Sequence, residues 1–164
     1  MLMEYSASQS EAFSELDLGF MTQALHQAKL ADAYGEVPVG AVLVHEGQVI
    51  ARGFNQPISS HDPSAHAEAL VVRSACLRLQ NYRLPKDCTL YVTLEPCMMC
   101  MGLLNHARLG RLVFGALEPR TGAVVSQYDY VEKGYYNHRM QVQSGLLAEE
   151  SAALLRAFFK ARRG

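Results

Sequence analysis

Two short stretches concentrate residues able to do chemistry, His66-Ala67-Glu68 and, further along, Pro96-Cys97-Met98-Met99-Cys100. Two thiolates and one imidazole are soft and borderline ligands that suit tetrahedral zinc, and three protein ligands leave one position for water. That arrangement is catalytic, because a structural site closes with a fourth protein ligand. Cys97 and Cys100 are three positions apart, so at a helix N-terminus both sulfurs can face one ion. The dipole and free N–H groups of that helix end favour the deprotonated thiols. Glu68 follows His66 by two, which takes its carboxylate off the helical line through His66. It is expected beside the ion, where it can take a proton from water and deliver it elsewhere. Zinc brings the pKa of such a water from 15.7 to roughly 7, within reach of a carboxylate at neutral pH.

Other readings of the same residues stay open at this level. A C-x-x-C pair also serves redox couples and structural zinc knuckles. A closed structural site would take its fourth ligand from His61, His106, Cys76 or Cys88. Cys76 falls on the apolar side of an expected helix and Cys88 opens an expected strand, which fits core thiols. His61 stands in a loop, where a ligand, a substrate contact and a solvated side chain read alike. A closed structural site has no use for Glu68.

These residues must be positioned by strands and helices that the sequence pattern delimits. Phe20, Met21, Ala24, Leu25, Ala28 and Ala31 recur at three and four, which predicts an amphipathic helix over 18–34 stopped by Gly35. Residues 40–45 and 48–54, joined across Glu46-Gly47, read as a hairpin. Asp62 is placed to cap a helix whose first residue is Pro63 and whose apolar pattern runs to Leu79, with His66 and Glu68 in its first turns. Residues 89–93 form a strand ended by Pro96, and 97–106 have helical spacing. A strand at 111–114, a Gly/Tyr-rich loop over 115–137, a fifth strand near 139–143 and a helix over 147–162 complete the chain. Strands alternating with helices predict an α/β fold, a three-layer α/β/α sandwich around a mixed five-stranded sheet.

Composition narrows the setting. The chain has 164 residues, 49% hydrophobic and 19% charged, with 15 basic and 16 acidic residues and a formal net charge of −1. This is the profile of a single globular domain spanning 1–164, with a polar opening of about fifteen residues expected to be flexible. No apolar run reaches the roughly 20 residues needed to cross a bilayer, and the opening lacks the basic residues of an export signal. Four cysteines are too few for a disulfide scaffold, so a reducing cytoplasm is expected. A near-neutral charge gives no reason for indiscriminate phosphate binding, so any polynucleotide would be recognised locally.

The signature H-x-E followed by P-C-x-x-C resembles that of the zinc-dependent nucleobase deaminases. Within that cytidine deaminase-like superfamily the chain is most similar to the bacterial tRNA-specific adenosine deaminases. The narrower likeness rests on Glu36-Val-Pro-Val-Gly-Ala41, Gly53-Phe-Asn55, His61-Asp-Pro-Ser-Ala-His-Ala-Glu68, Asn81-Tyr-Arg-Leu84 and Leu90-Tyr-Val-Thr-Leu-Glu-Pro-Cys97. It continues through Val113-Phe-Gly-Ala116, Thr121-Gly-Ala123 and Asn137-His138.

That resemblance implies one zinc per chain held by His66, Cys97 and Cys100, with Glu68 as proton shuttle. It implies hydrolytic conversion of adenosine to inosine at the wobble position of a tRNA anticodon stem-loop. Asn55 matches the family's purine-contacting asparagine, and Glu36 lies in its pocket-side segment, where it would touch ribose or base. A homodimer is also implied, with the apolar helix around Met98 a candidate face. Lys160, Arg162 and Arg163 are candidate phosphate contacts, and the adjacent Phe158 and Phe159 read equally as core or as base-stacking rings.

Overall fold

The computed structural model describes residues 13–133 and 138–163. The first helix, α1 (Glu15–Ala33), starts three residues earlier than its apolar pattern predicts. The reason is a reciprocal cap: the Ser14 hydroxyl accepts from Asp17 N–H at 3.1 Å, and the Asp17 carboxylate accepts from Ser14 N–H at 3.0 Å. Strands β1 (Gly40–His45) and β2 (Gln48–Phe54) form the expected hairpin.

The second helix, α2 (Ala67–Leu79), begins four residues after the expected Pro63. Asp62 does not cap it. Its Oδ1 accepts from the backbone and hydroxyl of Ser64, at 2.9 and 2.7 Å, and folds 62–65 into a turn of its own. His66 is thereby left extended, with φ −74° and ψ 152°, as the N-cap itself. Then follow β3 (Thr89–Leu94), α3 (Met98–His106), β4 (Arg111–Ala116), a one-turn α4 (Tyr130–Lys133) inside the expected loop, β5 (Gln141–Ser144) and α5 (Ala148–Arg163). Residues 134–137, Asn137 among them, and most of the opening read as flexible lie outside the described residues.

The sheet order is β2-β1-β3-β4-β5, antiparallel for the first two pairings and parallel for the last two. Alternation along the strands sends Ala41, Leu43, Leu90, Val92, Leu112 and Phe114 to one face, where Val71, Val72, Met101 and Leu104 of α2 and α3 cover them. Val42, Val44, Tyr91 and Val113 face the other way, onto Met21 and Ala24 of α1, and α5 packs on that side. The expected mixed sheet with helices on both faces is therefore present. Beneath α1 a buried polar cluster ties helix to sheet: Asp17 accepts from the Tyr91 hydroxyl at 2.6 Å and from both terminal nitrogens of Arg111 at 2.9 and 3.1 Å.

This topology selects one end of the sheet for chemistry. Gly40 pairs with Phe54, and Ala41 with Val92, so the start of β1 and the ends of β2 and β3 lie together. The segments leaving β2 and β3 enter the N-termini of α2 and α3, which pack side by side. Both chemical stretches are thus brought to one place.

Candidate active site

His66 and Cys97 occupy equivalent positions, each the extended N-cap of its helix. Cys100 lies one turn into α3 and is fully buried. His66 Nδ1 stands 3.6 Å from Cys97 Sγ and 3.5 Å from Cys100 Sγ. Tetrahedral zinc, with Zn–S near 2.3 Å and Zn–N near 2.05 Å, requires nitrogen-to-sulfur separations of about 3.6 Å. The geometry and the donor types therefore fit zinc.

Among the described residues, His66, Cys97 and Cys100 form a set of ligating atoms within 4.8 Å of one another, and His61, His106, Cys76 and Cys88 do not join it. His61 is exposed with φ +52°, His106 is exposed at the far end of α3, and Cys88 is buried in the core. Burial pushes the Cys88 thiol up to about 11, which suits an inert core residue. A second cluster, His45, Glu46 and Asp87, lies at the opposite end of β1 in solvent-accessible surroundings.

The thiols are electrostatically unlike. Hydrogen bonding from Cys100 and His66, and the Cys100 backbone N–H at the helix start, bring Cys97 down to about 4 despite burial. Cys100, as the partner donating to Cys97, is pushed strongly up, and burial adds to this. His66 is raised, chiefly by its bond to Cys97.

Glu68, the second residue of α2, is 4% exposed and stands outside the ligating set. Burial pushes its carboxyl up to about 7, against the opposing pull of its own backbone N–H and of His66. A carboxyl that titrates near neutrality, beside a ligand cluster, suits proton transfer in both directions. Glu68, His66 and Cys97 open into a cavity of about 210 Å³ with Val37, Val39, Pro57 and Leu94 as apolar walls and Asn55 and Thr121 as polar ones. Its size suits one nucleobase and not a duplex.

Asn55 lies where the sequence expects it, on the cavity. Its Oδ1 accepts from Ala67 N–H at 2.8 Å, which fixes the start of α2. With its oxygen engaged there, the amide N–H₂ is the group left to donate to a ligand in the cavity. Glu36, expected against ribose or base, is fully buried instead. Its two oxygens accept from the backbone N–H groups of Ile58 at 3.2 Å and Ser59 at 2.6 Å. Burial raises its carboxyl, but these bonds and the Ser59 hydroxyl win and lower it. Glu36 therefore shapes the loop after Asn55 and meets the cavity through it.

One residue, quoted in the sequence only as part of the 90–97 block, has a role that the sequence did not announce. Glu95, 3% exposed, accepts from the backbone N–H groups of Glu118, Val124, Val125 and Ser126 at 2.8–3.1 Å, and from the Ser126 hydroxyl. It binds the 118–126 loop, which carries Thr121, to the strand end that leads into Cys97. The same loop bridges Cys97 directly through Gly122.

A mixed sheet with two helix N-termini offering His, Cys and Cys beside a buried glutamate defines the zinc-dependent deaminase class. Residues 14–116 match the family model described as the cytidine and deoxycytidylate deaminase zinc-binding region. A tRNA-specific adenosine deaminase of Haemophilus influenzae is 48% identical over 151 residues, 92% of this chain and 87% of the relative. The chain belongs to the tRNA-specific adenosine deaminase family. Among solved structures, one from work on A-to-I editing by tRNA:A34 deaminases at the wobble position of transfer RNA superposes with TM-score 0.81 at 46% identity, covering 84% of this chain and 99% of the other. The guanine deaminase of Nitrosomonas europaea matches at TM-score 0.72 and 26% identity, over 86% and 83% of the two chains.

Proposed function

We propose that this chain converts adenosine to inosine at the wobble position of a tRNA anticodon, with zinc held by His66, Cys97 and Cys100 and with Glu68 moving the protons. The zinc part of this reading is carried by the spacing of the ligating atoms, with the imidazole nitrogen 3.5 and 3.6 Å from the two sulfurs beside a buried glutamate that is not among them, and the wobble-adenosine part by the family to which the chain belongs. When bound, zinc supplies the Lewis acidity that makes water nucleophilic at neutral pH.

The chain's own residues do the rest. Glu68 takes a proton from water and gives it to N1 of the adenine as the water oxygen bonds to C6. It then passes the second proton to the 6-amino group, which leaves as ammonia when the C6–N bond breaks. Asn55 donates its amide N–H to a ring nitrogen of the purine and holds the ring in register. Val37, Val39, Pro57 and Leu94 sandwich the ring and exclude bulk water. Because the cavity suits a single base, the target adenosine must leave its stack, which is easiest in an unpaired loop.

The setting follows from the substrate. Among the described residues no helix is long and apolar enough to cross a membrane, and a tRNA substrate supports a cytoplasmic site of action. Met98 and Met99 are 46% and 44% exposed on α3, directly beside the ligands, and this apolar face supports a homodimer.

The test is to incubate the protein with an anticodon stem-loop carrying a wobble adenosine and, separately, with adenosine, cytidine and guanine, and to measure inosine and ammonia. Turnover confined to the stem-loop is the expected result. Equal or faster turnover of a free base or nucleoside would replace this reading with a small-molecule deaminase.

A further inference from the structure

The turn over 62–65 is the last structure the chain makes before His66. It closes where Ala65 N–H donates to the Asp62 carbonyl at 3.1 Å, with Pro63 presetting φ at its second position. The Asp62 side chain locks it from within, Oδ1 accepting from both the N–H and the hydroxyl of Ser64. His66 then hangs on this turn, since its own N–H donates to the Ser64 carbonyl at 2.8 Å. Its carbonyl accepts from Leu70 N–H at 3.0 Å as α2 begins. Both peptide groups of the ligand residue are thus held, one by the turn and one by the helix.

Arg73, nine residues beyond Ser64 and well up the same helix, reaches back to the turn. Its Nη2 donates to Ser64 Oγ at 2.8 Å, and its Nη1 stands 3.6 Å from Asp62 Oδ2. Guanidinium, hydroxyl and carboxylate form a relay that ties the turn to the helix it introduces. The relay lies at the surface, with the Asp62 and Arg73 side chains 39% and 48% exposed.

We propose that Asp62, braced by Arg73, is a positioning residue for the zinc ligand His66. The inference rests on the zinc reading given above and extends it to residues that touch neither ion nor substrate. A metal-bound imidazole is commonly aimed by a partner on its other ring nitrogen. Among the described residues, the hydrogen-bond-range contacts of the His66 ring are those of Nδ1 with the two sulfurs, so the aim of the ring falls to its backbone. A ligand bond tolerates about 0.2 Å of error, and a turn released from its lock moves the residue that follows by more than that. Removing the Asp62 carboxylate would leave both Ser64 donors without their acceptor and free the turn. The same backbone carries Glu68 two residues on, so one lock sets the place of both groups.

The test measures the zinc that the full chain retains against rising chelator, for wild type, Asp62→Ala, Asp62→Asn and Glu132→Ala. The last breaks another exposed ion pair, with Arg139, and serves as the control. Asp62→Ala should weaken zinc retention about 10- to 100-fold, the range for losing a group that orients a ligand. Asp62→Asn keeps an acceptor for both Ser64 donors and should stay within about threefold of wild type, the scale of one lost surface ion pair. Glu132→Ala should match wild type. With cobalt(II) in place of zinc, the visible absorption bands should shift for Asp62→Ala and coincide with wild type for Asp62→Asn. Wild-type zinc retention by Asp62→Ala overturns the proposal. So does an equal loss in Asp62→Asn or in Glu132→Ala, which would make the effect one of charge or of general stability. A wild-type chain that takes up no zinc would instead sink the metal reading itself.

Discussion

The carboxylate of Glu95 fills the space that a side chain on residue 122 would need: a Cβ there would overlap its carboxyl carbon and both oxygens. Gly122 is therefore demanded by a neighbour 27 positions away, and together the two residues seat the 118–126 loop over the cavity. Gly122→Ala should displace the carboxylate from its donors and cost about 1–3 kcal/mol of stability, as overpacking does. Glu95→Gln is nearly isosteric, yet it should cost a comparable amount. Oε1 and Oε2 both accept, and an amide would point N–H at existing donors on one side or the other. Chemical denaturation measures both costs. A Glu95→Gln protein as stable as wild type would contradict the five-donor arrangement.

How much of this was readable beforehand divides by range of interaction. That His66, Cys97 and Cys100 come together with Glu68 beside them was legible because each lies in a short motif whose spacing constrains its geometry. The sheet was legible from alternation and from the hairpin at Glu46-Gly47. Helix starts were less so. Ser14 and Asp17 moved one start forward and Asp62 moved another back, since the same residue types cap helices and build turns. Glu36 and Glu95 were misjudged or missed for a common reason. Each satisfies backbone N–H groups of a loop more than twenty residues away, and no periodicity links a carboxylate to a loop's amides. The two phenylalanines that pattern left ambiguous part company in space, Phe158 at 5% exposure and Phe159 at 47%.

Glu68 and Cys100 are close in the site but should fail differently. Glu68→Ala removes the proposed proton carrier, which stands outside the ligating set, so zinc should stay at about one per chain while turnover falls by 10²–10⁴-fold or more. Cys100→Ala removes one of the three proposed ligands, a buried one, and should lose both zinc and turnover. Metal analysis of the two purified variants separates the roles. Loss of zinc from Glu68→Ala would place that carboxylate on the ion.

Stability should depend on pH through Asp17. Burial raises this carboxyl, but the bonds from Arg111, Tyr91 and Ser14 outweigh it and hold it well below the ordinary carboxylate range. As pH falls, the unfolded chain therefore takes up the proton first, near its usual value of about 3.9. The stabilisation is fully present above about pH 5 and drains away as pH drops below 4. Tyr91 is shifted upward by burial and by Asp17. Its contribution is intact below about pH 10, the unfolded value, and fades as pH rises past it. Asp17→Asn should cost about 2–3 kcal/mol at neutral pH, less than a fully buried pair because Arg111 keeps some solvent. Denaturant titrations at pH 7 and pH 3 check this: the gap between wild type and Asp17→Asn should narrow at the lower pH.

The end of α5 should supply the phosphate contacts that a net charge of −1 does not provide globally. Arg120, Arg156, Arg162 and Arg163 surround a groove of about 480 Å³ with exposed Phe159 and Glu118. Arg156 is paired with Glu149, and the Arg162 guanidinium stacks on the Phe158 ring at 3.4 Å, so Arg163 and the outward edge of Arg162 are the cations best placed for RNA. Glu118 is also the residue whose N–H is bound by Glu95, which joins this groove to the loop that carries Thr121 over the cavity. Each phosphate contact releases counterions, so log affinity falls with log salt by about 0.7 per contact on single strands. Replacing Arg162 and Arg163 by Gln should weaken stem-loop binding and flatten that slope by about 1.4 if both touch phosphate. Zinc content and the melting temperature should barely move, since both side chains are at the exposed end of the helix. Binding isotherms at three salt concentrations decide the matter: weaker binding with an unchanged slope would mean that these arginines act through Phe158 packing and that the RNA backbone runs elsewhere.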